Sequence, residues 1–342
     1  MSQSLCTGIL RAITGICAPA SVDGSEGATL LTAELMAVKG NDTMTILDEI
    51  LTRKREEVAA AMRAAPIDAV QANAFVQPPA RSFASRLRAP AGHPARLIAE
   101  IKRKSPSVGA MAEIVDPVDL ARTYAANGAA AISVLTDHHH FGGSLADLRA
   151  VHDAVSVPVL RKDFLFTEYQ LWEARAAGAD AALLIVAALA SPLGDPDYLA
   201  GKVSVVRGGT PAEGTPDMAI ARDRLARLMR VARKAGLEVL VEVHDGAEAS
   251  VAADLRAPII GINNRNLANF VTSLTTTETV IASMILGAGH SPVIVSESGL
   301  HDADAAARVR RAGAHAILVG EALVRSGDPA AKVREMSGNV AP

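Results

Sequence analysis

The chain has little with which to cross-link, stack on bases or span a bilayer. It contains two cysteines, Cys6 and Cys17, both near its start. Two thiols make no disulfide framework and fit a reducing compartment. Aromatic residues are 3% of the total, too few for extensive base stacking. Neither sign of charge dominates: 34 Lys and Arg face 37 Asp and Glu, for a net charge of −3. That balance offers no basic surface for nucleic acid and no dense basic run for a membrane surface. Uninterrupted apolar runs fall short of a transmembrane span. A glycine-rich G-x-G-x-x-G turn is also missing after the first strand, which argues against a dinucleotide-binding sheet.

What the chain does have is apolar residues, 49% of 342. That supplies a large core, and roughly 250 residues suit one closed α/β barrel. Residues 1–43 are rich in Ser, Thr, Gly and Ala, without sustained periodicity. Arg11 interrupts their apolar run, a poor fit to a secretory signal. They are expected to be a poorly ordered extension, or the product of an upstream start. Residues 44–95 are expected to be a helical segment packed on the barrel. Its main helix begins near Met44, with Ile46, Ile50, Leu51, Val58 and Met62 at near-helical spacing and Pro66 beyond its end. A second short helix is expected within "ARSFASRLRA".

From residue 96 to the end, one unit recurs: an Ala-rich charged helix, a glycine, then an apolar strand. Gly128, Gly178, Gly236 and Gly313 close four such helices. Eight strands are expected near 96–102, 130–135, 157–162, 180–186, 237–243, 258–263, 292–297 and 315–319. Alternating strands and helices imply a parallel sheet, and eight such units imply an eight-stranded β/α barrel of the TIM type, in preference to an open doubly wound sheet. A Gly- and Pro-rich segment at about 191–219 breaks the rhythm. It is longer than an ordinary connection and, following a strand, is expected to rise from the catalytic face as a lid or docking loop, or as tolerated disorder.

Alternate residues of a barrel strand face inward, where charge is costly unless it sits at the mouth with partners. Several strands end in such charges. Glu100 and Lys102 share a face with Ile98. Lys162 is in phase with Leu160, Glu242 with Leu240, Asn263 with Gly261 and Glu297 with Val295. A lone pair of this kind reads as a structural ion pair. Six side chains converging at the C-terminal face read as a catalytic constellation. Gly299 and Gly320 follow the seventh and eighth strands, where barrels often hold a phosphate with backbone N–H groups. Together these point to an enzyme acting on a small phosphorylated molecule.

The segments "LIAEIKRKSPSVG", "VLRKDF", "LVEVHD", "GINNRNL", "VSESGL" and "LVGEAL" resemble, in order, the strand-end motifs of the indole-3-glycerol phosphate synthase family, over about residues 44–336. The resemblance implies ring closure of 1-(2-carboxyphenylamino)-1-deoxyribulose 5-phosphate with loss of carbon dioxide and water, in cytoplasmic tryptophan biosynthesis, without metal or organic cofactor. It assigns Lys162 as general acid, Glu242 to proton handling in dehydration, and Glu100 to positioning and charge stabilisation. Lys102 falls at the substrate carboxylate or phosphate, and Asn263 and Glu297 become orienting residues. Arg265 and Ser298 match supporting contacts, and Ser105 and Phe141 the pocket lining. Gly299, Gly320 and Glu321 match the phosphate loops. Docking with other enzymes of the pathway is compatible with it.

The chain departs from the family pattern in the two extra segments and in a run of three histidines, His138, His139 and His140. Consecutive residues on a loop are poorly spaced for chelation, so a solvated role and no metal are expected. The competing assignments are a neighbouring barrel enzyme such as phosphoribosylanthranilate isomerase, which does not need this Lys–Glu set, and a degenerate barrel that only binds phosphorylated metabolites. Loss of a strand-end lysine or glutamate would favour the latter, and none is lost.

Overall fold

The computed structural model describes residues 45–106, 109–111, 116–195, 217–266 and 271–339. The expected 1–43 extension and residues 196–216 of the expected insertion lie outside them. The N-terminal part forms helices α1 (Ile46–Ala64), α2 (Ile67–Phe75) and α3 (Phe83–Leu87). Beyond it come β1 (Arg96–Ile101), α4 (Pro117–Ala126), β2 (Ala131–Leu135), α5 (Leu145–Ala154), β3 (Val159–Lys162), α6 (Glu168–Ala176), β4 (Ala181–Ile185) and α7 (Val186–Ala190). The second half holds α8 (Met218–Ala235), β5 (Glu238–Val243), α9 (Gly246–Asp254), β6 (Ile259–Asn263), α10 (Thr275–Ser283), β7 (Val293–Glu297), α11 (Ala303–Ala312), β8 (Ala316–Val319), α12 (Glu321–Val324) and α13 (Pro329–Ser337).

The strands close into a barrel in the order β1-β8-β7-β6-β5-β4-β3-β2, every neighbouring pair parallel. Each lies within two residues of its expected span. The strands are almost wholly buried, because their outward residues are covered by helices and their inward residues fill the barrel. Helix α8 ends at Gly236 and α11 at Gly313, both with left-handed φ, as the recurring glycine pattern implied.

Helix α1 starts at Thr45 through a capping box: Thr45 Oγ1 accepts the Asp48 N–H, and the Asp48 carboxylate accepts the Thr45 N–H. Ile50, Leu51 and Val58 are buried, but Met62 is 43% exposed and does not belong to the inner face. The buried stripe is completed instead by Lys54 and Arg55. Lys54 is held by Asp137 beyond β2 (2.8 Å) and Asp163 beyond β3 (2.9 Å). Pro66 ends α1 as expected but also serves as the N-cap of α2, a helix the sequence pattern did not suggest. Proline is tolerated where a helix starts because the N–H it lacks has no helical partner there.

At the opposite, N-terminal end of the barrel, charges are structural. Asp180 accepts the N–H of Arg81 (2.7 Å) and of Val159 (2.8 Å), and the Glu238 carboxylate accepts Ser82 Oγ (3.0 Å). These bonds tie the segment around α3 to the base of the barrel.

Candidate active site

Every residue proposed from the sequence borders one cleft at the C-terminal mouth, about 1150 Å³ counted to its open end. Glu100, Lys102 and Ser105 arrive from the end of β1, Phe141 from the loop after β2, Lys162 from β3 and Glu242 from β5. Asn263 and Arg265 come from β6, Glu297, Ser298 and Gly299 from β7, and Gly320 and Glu321 from the end of β8. Strand register explains the convergence: Ile185 is level with Glu242, Glu242 with Gly261, and Asn263 with Glu297. Ile46, Leu47 and Ile50 of α1 supply an apolar wall.

Lys162 lies at the centre. Its Nζ is 3.3 Å from Glu242 Oε2 and 3.6 Å from Glu297 Oε2. Lys102 Nζ stands 2.6 Å from Glu100 Oε1. The Asn263 amide donates to Glu242 Oε1 at 3.1 Å. Glu100, Glu242 and Glu297 are each 3% exposed or less, so their charges depend on these partners. Two glycines make the room. A methyl group at Gly261 would collide with the Glu297 carboxylate, and one at Gly320 with that of Glu100. Gly320, proposed for phosphate approach, therefore also admits a carboxylate.

The electrostatics separate three buried carboxyls. Burial opposes the charge of Glu242, but Lys162, His244 and Asn263 outweigh it and hold the carboxyl well below the usual range. Burial likewise opposes Glu100, and Lys102 and Lys162 overcome it. Glu297 goes the other way. Burial, reinforced by Glu242, pushes it up to about 8 despite Lys162, and neither of its oxygens accepts a hydrogen bond among the described residues. Burial disfavours the Lys162 ammonium, but Glu242, Glu297 and Glu100 together raise its pKa above the ordinary lysine value. The surroundings thus favour the charged forms of Lys162, Glu242 and Glu100, and disfavour that of Glu297.

The opposite rim is built from backbone. Ser298 has φ 67° and Gly299 φ 74°, so the chain turns left-handed at both. For serine this conformation costs about 1–3 kcal/mol, and it persists where the surroundings impose it. Here Asn264 does so: its amide donates to the Ser298 carbonyl (3.1 Å) and to Ser296 Oγ (3.0 Å). Asn264 is fixed in turn by the N–H and hydroxyl of Thr277, at 3.1 and 2.8 Å. The short helix α12 begins just after Gly320, and its first N–H groups lack helical acceptors. The Glu321 carboxylate turns to Arg325 at 2.9 Å, with Arg265 3.9 Å away.

Sequence reasoning passed over three contributors. His244 continues the inward alternation of Glu242, and its Nε2 is 3.4 Å from Glu242 Oε1. Its Nδ1 lies 3.1 Å from Glu248 on α9. Burial lowers the His244 pKa, but the two carboxylates outweigh it and bring it to about 10. The same alternation would have found it. Asn264 and Lys54 carried no such signal, since one faces the helices and the other sits on a helix where lysine reads as outward.

Comparison with known proteins agrees with the geometry. A sequence model of the family described as indole-3-glycerol phosphate synthase matches residues 47–196 and 218–336, breaking where the insertion was expected. An indole-3-glycerol phosphate synthase of Roseiflexus castenholzii is 44% identical over 272 residues, covering 78% of this chain and 88% of its own. One of Burkholderia ambifaria is 44% identical over 257 residues, covering 75% and 84%. One of Acidithiobacillus ferrooxidans is 41% identical over 267 residues, covering 78% and 88%. Among solved structures, 3-hexulose-6-phosphate synthase of Salmonella typhimurium superposes with a TM-score of 0.50 at 13% identity, over 71% of this chain and 97% of its own. At that identity the likeness concerns the barrel fold alone.

Proposed function

This chain belongs to the indole-3-glycerol phosphate synthase family, and on that premise we propose which side chain carries each step. The reaction is that of a carboxy-lyase in tryptophan biosynthesis acting on a phosphorylated small molecule: 1-(2-carboxyphenylamino)-1-deoxyribulose 5-phosphate closes to indole-3-glycerol phosphate.

The substrate phosphate sits on the backbone N–H groups around Gly299, Gly320 and Glu321, with Arg265 and Ser298 beside it. Lys102 faces the aromatic carboxylate, and Ser105 and Phe141 border the ring. Lys162, held fully protonated by its neighbours, donates to the ketone oxygen as the aromatic carbon bearing the carboxylate attacks the ketone carbon. A carbon–carbon bond forms and the carbonyl becomes a hydroxyl. The bond to the carboxylate then breaks, its electron pair restores the aromatic ring, and carbon dioxide departs. The ring nitrogen's lone pair assists departure of the hydroxyl, which leaves as water after taking up a proton. Glu242, anionic in the resting site, takes the proton released as the indole double bond forms. Glu100 steadies the developing positive charge, and Asn263 and Glu297 orient the acid and base. Both the acid and the base are side chains, so the ring closure calls for no organic cofactor or metal.

The observation that carries this assignment is the placement of Lys162 against Glu242 and Glu297, between a second Lys–Glu pair and a glycine-lined rim suited to phosphate. Residues 44–95 as a helical segment on a 96–342 barrel, a cytoplasmic location and docking with other tryptophan-pathway enzymes belong to the same proposal. Among the described residues no helix is long and apolar enough to cross a membrane. The direct test supplies the carboxyphenylamino substrate to the purified chain and follows indole fluorescence. Growth of that signal with turnover is expected; its absence at high enzyme concentration would overturn the assignment.

A further inference from the structure

We propose that Glu49, His139 and His140 form a binding site for a zinc-like divalent transition ion that ties helix α1 to the loop after β2. Consecutive histidines alone are poorly spaced for chelation, but a third ligand, Glu49, comes from another element. In the folded chain, ligand atoms of Glu49, His139 and His140 all lie within 4.8 Å of one another. A tetrahedral zinc with bonds of about 2.0–2.1 Å needs them about 3.4 Å apart. Glu49 and His139 are exposed, so rotation of their side chains closes the difference.

His140 is the fixed member. Its side chain is only 10% exposed, yet among the described residues neither ring nitrogen has a hydrogen-bond partner. A buried polar group in that state needs a reason. Its Nε2 points at Glu49, 3.5 Å from Oε1, and its Nδ1 faces Asp137, 3.7 Å from Oδ1. The two ring nitrogens thus face carboxylates on opposite sides without a hydrogen bond to either, and Nε2 is the one turned toward Glu49.

The backbone is set before any ion arrives. Asp137 Oδ1 accepts the N–H of His140 (2.7 Å) and Phe141 (3.2 Å), while Lys54 holds the other oxygen of Asp137. Lys104 donates to the His139 carbonyl at 2.6 Å, and Gly142 to that of His138 at 3.0 Å. Two imidazoles and one carboxylate suit a borderline ion such as zinc rather than magnesium or calcium, which prefer oxygen alone. The exposed side of Glu49 leaves a coordination position for water.

The site is separate from the chemistry but adjoins it. None of its three ligands borders the catalytic cleft, whereas Ile46, Leu47 and Ile50 on the same helix and Phe141 on the same loop do. An ion here fixes one wall of the cleft.

The test uses the full chain without an affinity tag, stripped by chelator and titrated with Zn²⁺ by calorimetry, beside Glu49→Gln and His139→Ala. The wild type is expected to bind one ion per chain, and each variant more weakly by about 10–100-fold, the loss typical even of outer contacts. Co²⁺ added to the wild type is expected to give visible d–d absorption that Glu49→Gln lacks. Equal affinity of the wild type and both variants, or no binding by the wild type, would overturn the site. Neither readout depends on turnover.

Discussion

Lys162 Nζ lies 3.3 Å from Glu242 Oε2, although β4 separates the two strands that carry them. The contact exists because both side chains point to the barrel axis at its C-terminal end, where Gly261 leaves space for a second carboxyl, that of Glu297. One cation thus faces two carboxyls shifted in opposite directions, Glu242 downward and Glu297 upward. Pairs of titratable groups pushed apart in this way divide acid and base work between them.

Glu297 makes stability depend on pH with a definite sign. Its pKa is raised from 4.5 to about 8 by burial and by Glu242. Across that window the folded chain keeps a proton that the unfolded chain has released, so Glu297 lowers stability progressively as pH rises. Glu297→Gln is expected to flatten this part of the profile. Urea unfolding at a series of pH values measures it, and an unchanged slope in the variant would refute the assigned state.

His244 acts in the opposite sense. Its pKa, raised from 6.5 to about 10, makes its stabilising contribution complete below 6.5 and lost as pH rises through about 10. The stability deficit of His244→Gln is therefore expected to shrink across that range. Removing the cation also lets the Glu242 pKa rise, so the acidic limb of the kcat/KM profile is expected to move to higher pH. Matched stability and rate profiles of the two proteins check both shifts.

Lys54 anchors α1 to two strand ends. Its ammonium is 3% exposed and contacts Asp137 and Asp163, whose side chains are both 1% exposed. Burial pushes Asp163 up, but Lys54 and Arg161 prevail and hold it at about 2. Lys54→Met leaves both carboxylates without this cation and is expected to cost about 3–5 kcal/mol, the usual penalty for half of a buried ion pair. Equilibrium denaturation at neutral pH measures the loss.

The barrel and most of its mouth were legible in the sequence for one physical reason. Strand side chains alternate, so a charge in phase with an inward Leu or Val must reach the axis: Glu242 after Leu240 and Glu297 after Val295 follow from counting alone. His244 obeys the same count. What stayed hidden was set by long-range partners. Lys54 reads as a solvent-facing helix residue until Asp137 and Asp163 are brought beside it. Asn264 looks like a neighbour of Asn263, yet it faces α10, and its value lies in the bond to Ser298. Helix α2 was missed because Pro66 was read only as a stop, whereas a proline also serves where a helix starts.

The central claim is that Lys162 supplies the proton that activates the substrate ketone. Single-turnover formation of indole-3-glycerol phosphate by Lys162→Ala, with folding verified by circular dichroism, tests it most directly. The account predicts a rate lower by about 10²–10⁴-fold, the range of positioned acid catalysis, in a folded protein. A folded variant that closes the ring at the wild-type rate would contradict it.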